Sequence, residues 1–396
     1  MKILFVTFFC SLFLFLSAQQ KDTIKAEISN AGHLINSYFA DYAPLISADN
    51  NMMLFTSRKP LNEKDMLRGK PGTENVYATY YDDKHAKWLV TIMLGPTINV
   101  PDIDNSAIAL SNDGQRMLLY RGGNELNANG DILESFLIGE EWSDPVRLPP
   151  PINSDFNETS ASISPDGRTI YFVSDRKWGF GGRDIWYCTQ DELGNWGEAI
   201  NMGKLINSPE DEEGVFIHPN GKMLFFSSKG HNSIGGYDIF MSVFDETTKT
   251  WAQPENLGAP INTPDDEIYF VLSASGKIGY YSSSMPGGYG DLDIYSTSFP
   301  PDFIKKNTAL LKGRIISKTE TPVGSTIVLK SKETNKLIGT FKSNNSTGKY
   351  LVSLSPGVKY SLEITADGYK TDTVSFDIPY KTGYQEIVND IILEAK

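Results

Sequence analysis

The chain has 396 residues and carries 49 Asp and Glu against 36 Lys and Arg, a formal charge of −13. A surface this acidic repels nucleic acid and anionic lipid, which excludes both as partners. Its two cysteines are Cys10 and Cys188, so the fold has to rest on its apolar core.

At the N-terminus, Lys2 is followed by an apolar run over 3–16 and then by Ser17-Ala18 before Gln19. This is the build of a secretory signal peptide over 1–18. The run is too short and wrongly flanked for a spanning helix. Cys10 lies inside it, whereas a lipid-attachment cysteine belongs at its end. Cleavage leaves Cys188 without a disulfide partner and brings the charge to −14, from 35 basic and 49 acidic residues. No later segment reaches membrane-spanning length, so the mature chain is expected to be exported and not membrane-spanning.

From residue 35 onward the chain repeats itself, and internal repeats decide the fold. The pair Ile-Asn recurs at Ile35-Asn36, Ile98-Asn99, Ile152-Asn153, Ile206-Asn207 and Ile261-Asn262, at intervals of 63, 54, 54 and 55 residues. Ten residues before the last four stand Trp88, Trp142, Trp196 and Trp251. Downstream of each pair comes a hairpin-turn cluster. Ser164-Pro165-Asp166-Gly167 is echoed by Ser111-Asn112-Asp113-Gly114, His218-Pro219-Asn220-Gly221 and Ser273-Ala274-Ser275-Gly276, and more loosely by Ser47-Ala48-Asp49-Asn50. Gly and Asn are used there because they tolerate positive φ. A third marker, Asp184-Ile185-Trp186, recurs as Asp131-Ile132, Asp238-Ile239, Asp293-Ile294 and Asn75-Val76. Each unit therefore predicts four short strands, and about fifty residues of four strands repeated around a ring is a propeller blade.

The fifth unit ends at 293–297 without a tryptophan strand. A spare strand stands at 25–36, where Gly32, Ile35 and Asn36 match the register of Gly203, Ile206 and Asn207. It is expected to complete the last blade and remove two sheet edges. The expected fold is all-β: a propeller over 19–303 with five blades, or six if the longer first repeat hides degenerate strands. The motif from Ser164 to Arg176, followed by Gly181-Gly182-Arg183-Asp184-Ile185, resembles the WD-like propeller repeat of the TolB type.

After Pro300-Pro301 the pattern changes. Strands near 312–316, 322–329, 348–352 and 357–362, with Gly-centred turns, predict a small Greek-key sandwich over 308–396. These motifs are similar to the carboxypeptidase-regulatory-like, transthyretin-like module, which carries no protease chemistry. A propeller followed by this module resembles the central part of PorE-type envelope proteins of Bacteroidetes. That resemblance implies a periplasmic or outer-membrane-associated location, or the cell surface, and an association with type IX secretion. The chain has no counterpart of that group's OmpA-like domain, so peptidoglycan anchoring is not implied.

His33, His85, His218 and His231 form no zinc pattern, and no Gly-x-Ser-x-Gly elbow is present. The Gly-rich stretches at 179–182 and 287–290 precede strands rather than helices, unlike phosphate cradles. No cofactor or metal is expected. One acidic constellation stands out: Asp41, Asn105, Glu158, Glu212 and Glu267 each lie six residues before a turn, at the start of the innermost strand. In a propeller they surround one mouth of the channel. They would form a cation or basic-partner site, or else cap backbone amides of a neighbouring blade. Asp131, Asp184 and Asp238 are expected to pair with Arg121, Arg176 and Lys229 on the preceding strand, with calcium binding by these loops as the alternative, and the four tryptophans to pack between blades rather than serve as sugar-stacking platforms. The function expected is non-enzymatic binding or scaffolding with a protein partner in the bacterial envelope. The alternative is a glycan-active or glycan-binding propeller. Against a sialidase, Asp166 and Gly167 are adjacent, whereas the Asp-box places a residue between them.

Overall fold

The computed structural model describes residues 25–122, 130–300, 303–304, 307–381 and 383–396. The signal peptide expected over 1–18 lies outside the described residues. The described residues are all-β apart from one five-residue helix, Glu63–Leu67.

The five repeats form five antiparallel sheets of four or five strands. The inner strands are Asp41–Ile46, Asn105–Leu110, Glu158–Ile163, Glu212–Ile217 and Glu267–Leu272. Each turns back through its hairpin into a second strand and then a third. The second strands Met52–Ser57 and Met223–Ser228 are buried along their whole length. Each opens with four apolar residues in a row because neighbouring sheets cover both faces, and the Thr56-Ser57 and Ser227-Ser228 pairs that end them are buried as well. Burying each large apolar side chain contributes roughly 1.5–3 kcal/mol.

The sheets form a closed ring in propeller fashion. Consecutive inner strands lie side by side, and the inner strand from Glu267 lies beside the one from Asp41. One backbone bond is repeated at every junction. The first N–H of each inner strand donates to the carbonyl just before the third strand of the previous sheet. The pairs are Asn105 to Glu74, Glu158 to Gly130, Glu212 to Arg183, Glu267 to Tyr237 and, at the closure, Asp41 to Leu292 at 2.8 Å. Glu27–Asn30 pairs antiparallel with Asp293–Ser298, so the N-terminal strand supplies the outer edge of the last sheet.

The Ile-Asn marker explains itself here. All five isoleucines are buried. Each asparagine accepts the N–H and donates to the carbonyl of the second residue of the third strand. Asn207 bonds Ile185 at 2.8 and 3.0 Å, and Asn36 bonds Ile294 at 2.8 and 2.9 Å. One side chain thus imitates a strand partner where the outer strand has ended. The outer strands are shorter than expected. The tryptophan segments Lys87–Trp88, Glu141–Trp142 and Thr250–Trp251 form two-residue pieces, each followed by a second piece on the same third strand. The tryptophans are half-buried against the cores, and Trp88 reaches Tyr280 of the last sheet.

The extra length of the first repeat lies mostly between its second and third strands and contains the helix Glu63–Leu67. Beyond residue 307, eight strands form two four-stranded sheets that share one apolar core, including Leu311, Ile327, Val352 and Leu362. Thr308–Ser317 pairs parallel with Tyr384–Val388 and Ile391–Leu393, a pairing that the Gly-centred turns did not signal.

Candidate binding site at one mouth of the ring

Asp41, Asn105, Glu158, Glu212 and Glu267 each open an inner strand, and all five are buried. The carboxylates do not converge on one another; each is locked into its own link between sheets. Glu212 accepts from the Ser208 N–H at 3.1 Å, the Ser208 hydroxyl at 2.6 Å and the Ser228 hydroxyl at 2.7 Å. Ser37, Ser154 and Thr263 serve Asp41, Glu158 and Glu267 in the same way. The amides they cap therefore belong to their own link rather than to a neighbouring sheet. Burial pushes the Asp41 carboxyl up to about 6 and that of Glu212 up to about 7, and raises Glu267. Asn105 instead bonds two carbonyls of its link and accepts from Arg121 at 3.1 Å.

The strand-to-strand ion pairs expected for the Asp-Ile aspartates are replaced by other contacts. Arg176 bonds Glu158 at 3.0 Å and the carbonyls of Pro151 and Ile152. Asp184 accepts from the Phe180 and Gly181 amides and from Asn201. Asp238 and Asp293 hold their own loops through the Ile234 amide and the Tyr289 and Gly290 amides. Asp131 pairs with Arg147 instead of Arg121. A loop amide a few residues away reaches the carboxylate more cheaply than a long side chain on the next strand. Among the described residues, no group of three or more His, Cys, Asp or Glu side chains has metal-binding geometry.

The two ends of the ring differ. At the hairpin end the C-terminal sheets sit against the ring. Leu310 and Leu351 pack with Ala48 and Ala274. The Ser353 hydroxyl donates to the Pro219 carbonyl at 2.5 Å, and Gln115 donates to the Lys342 carbonyl at 3.0 Å. At the opposite end, where the inner strands begin, the loops carry exposed apolar side chains. Trp178 is 91% exposed, Tyr38 85% and Leu67 81%, and Phe180, Ile234 and Tyr289 are also exposed.

Beneath that rim lies a central cavity of about 220 Å³, whose polar lining includes Tyr42, Glu74, Tyr120, Thr159, Arg183, Glu213 and Tyr269. Each inner strand has a β-bulge near its start, at Tyr42/Leu45, Ala107/Ala109, Glu158/Ala161, Glu213/Phe216 and Ile268/Val271. Bulges re-aim side chains. At three adjacent strands the bulge residue has positive φ: Gly214 at 59°, Tyr269 at 61° and Ala43 at 51°. A Cβ on Gly214 would lie 2.8 Å from the Tyr269 nitrogen, so only glycine fits. Glu213 is buried and accepts from Arg183 at 2.6 Å and from the Thr159 hydroxyl at 2.9 Å. The Tyr42 hydroxyl bonds Glu74, and Tyr42 stacks on Tyr269 at 6.1 Å and 27°. The sequence marked the start of the inner strand but not this cavity. Its lining comes from the next residue of each inner strand and the residue before each third strand, which vary from repeat to repeat.

No protein-family model and no curated protein matches the chain. Among solved structures it is similar to a TolB-like protein of Agrobacterium tumefaciens, with 13% identity over 83% of this chain and 97% of that one, at a TM-score of 0.39. It is similar to a thermostable family-43 glycoside hydrolase at 12% identity over 65% of this chain and 88% of that one, with a TM-score of 0.40. A hydroxyquinol 1,2-dioxygenase of Pseudomonas putida matches 24% of this chain at 13% identity and a TM-score of 0.19, and the chain spans 58% of that protein's length. At these identities and TM-scores the likenesses assign neither a family nor an activity to this chain.

Proposed function

We propose that this protein is a non-enzymatic binding or scaffold protein exported to the bacterial envelope, where it holds a protein partner in the periplasm, at the outer membrane or at the cell surface. In this reading it is a five-bladed β-propeller with a C-terminal carboxypeptidase-regulatory-like sandwich, similar to the central part of PorE-type proteins, and type IX secretion is the setting. The observation that carries it is the asymmetry of the ring: one mouth is covered by the C-terminal sheets, and the other presents exposed aromatic and aliphatic side chains around an acidic cavity. Exposed apolar groups ringed by polar ones mark interaction surfaces. The net negative charge selects a basic partner surface.

The test is site-specific photo-crosslinking in envelope extract, with the crosslinker at Trp178 or at Thr248 on an outer hairpin. One discrete adduct from position 178, absent from 248 and lost when the crosslinker at 178 is placed in a Phe180→Asp background, is expected. Equal labelling at both positions contradicts the reading. Trp178 also favours a second reading, since an aromatic face at the mouth suits a sugar ring. A glycan array, with binding lost in Trp178→Ala, would support that alternative.

A further inference from the structure

We propose that the central cavity is the recognition pocket for a single cationic side chain, a lysine or arginine presented by the partner protein, with Glu74 as its carboxylate and the Tyr42–Tyr269 pair as its wall. This rests on the binding reading above and names what the partner must bring to it.

The first argument is charge. The cavity is lined by two carboxylates, Glu74 and Glu213, and one guanidinium, Arg183. Arg183 is held by Glu213 at 2.6 Å, and Glu213 also accepts from Thr159. Glu74 has no such partner: among the described residues, no lysine or arginine nitrogen lies within 4.0 Å of it. Arg58 acts on it only from farther away, with its Nε donating to the Gly72 carbonyl at 3.3 Å. Asp104 stands close enough to Glu74 to add to the local negative field. Burial and then that neighbour raise the Glu74 carboxyl above its usual range, while Tyr42 and the more distant Arg58 act to lower it.

The second argument is size and shape. A volume of about 220 Å³ is below the roughly 300–1,000 Å³ of pockets that enclose drug-sized ligands. It suits one side chain rather than a sugar chain or nucleotide. The third is the wall. Tyrosine faces attract ammonium and guanidinium groups within about 6 Å of the ring centre. Tyr42 and Tyr269 line the same cavity as Glu74, stacked on one another, and the backbone at Ala43 and Tyr269 is held in the left-handed region. A non-glycine residue there is strained and persists only where the surroundings enforce it.

The experiment titrates the full mature chain with Nα-acetyl-arginine amide and Nα-acetyl-lysine amide by NMR, with Nα-acetyl-norleucine amide as the uncharged control. The proposal expects saturable shifts from at least one cationic probe, none from norleucine, and at least tenfold weaker binding in Glu74→Gln. Raising salt from tens of millimolar to about 0.5 M should weaken wild-type binding severalfold, which needs no variant to fold. Equal shifts from norleucine, or binding indifferent to both salt and Glu74→Gln, overturns the pocket. The crosslinking experiment separates the two levels. If Glu74→Gln captures the partner at Trp178 as well as wild type does, the pocket is wrong and the docking face stands. If wild type captures none, the docking face itself is wrong.

Discussion

Asn207 does with one side chain what an outer strand does elsewhere. Its amide pairs both backbone groups of Ile185 in a fully buried setting. Replacing it with alanine leaves the buried Ile185 N–H unpaired, at roughly 1–3 kcal/mol, while the Ile185 carbonyl keeps the Met202 N–H at 3.0 Å. Asn207→Ala is expected to lower the urea midpoint by the equivalent of about 2 kcal/mol; a loss under about 0.5 would contradict the assigned role. Glu212 sets a pH dependence. Its folded value near 7 lies above the ordinary 4.5, so its contribution to stability is complete below about pH 4.5 and is lost as pH rises through 7. A shift of this size corresponds to about 3 kcal/mol. The stability gap between wild type and Glu212→Gln should therefore be widest near pH 4.5 and narrow toward pH 8; a gap independent of pH contradicts this. His218 runs the other way. Burial lowers it to about 4 from 6.5, and its Nε2–H donates to the Ser273 carbonyl. Its contribution is present above about pH 6.5 and lost as pH falls through 4, so His218→Gln should flatten the acid limb of thermal denaturation. The recurring residues were plain in the sequence, but their partners were not. Arg176 and Asp184 are eight positions apart and oppositely charged, yet each finds its partner elsewhere, because loop amides and link carbonyls come within reach only after the sheets have stacked.

The strand Glu27–Asn30 is short, half-exposed and weak on its own, yet it covers the edge of Asp293–Ser298. Its register was readable because Gly32 repeats the positive φ of Gly203, at 83° and 80°, just before the buried Ile and Asn. Removing residues 25–36 bares that edge and unpairs Ile294 from Asn36. The shortened protein is expected to self-associate on size-exclusion chromatography through the open edge; a monodisperse monomer of unchanged melting temperature would contradict the closure. Other elements hid from the pattern. The first repeat's insertion folds as a helical turn, where Asn62 caps Asp65, and turn and helix signals are indistinguishable over five residues. The split outer strands were read as single ones because tryptophan and Ile-Asn both mark that edge, while the backbone between them leaves the ladder. The parallel partners of Thr308–Ser317 lie about seventy residues downstream, beyond what local alternation can indicate.

In the intact molecule the ring and the C-terminal sheets are joined through a small apolar contact at the hairpin end, with Leu310 and Leu351 at its centre. Leu351→Asp places a charge there and should free the C-terminal sheets from the ring. The expected result is a larger radius of gyration in solution scattering and faster proteolysis near residues 299–308; unchanged scattering contradicts the contact. The repeated sheets and their internal strand order were visible as repetition, since each sheet must bury its faces against a neighbour like itself. The open mouth was not visible, because its chemistry comes from residues that differ among repeats. Every placement at that mouth depends on the ring being closed by its own N-terminal strand. Ser29 and Ser296 are direct partners across that seam. With Ser29→Cys, Ser296→Cys and Cys188→Ser combined, mild oxidation should give a quantitative intramolecular disulfide in the folded monomer, seen by mass and gel mobility. A folded monomer that retains two free thiols, or links only between molecules, would contradict the closed ring.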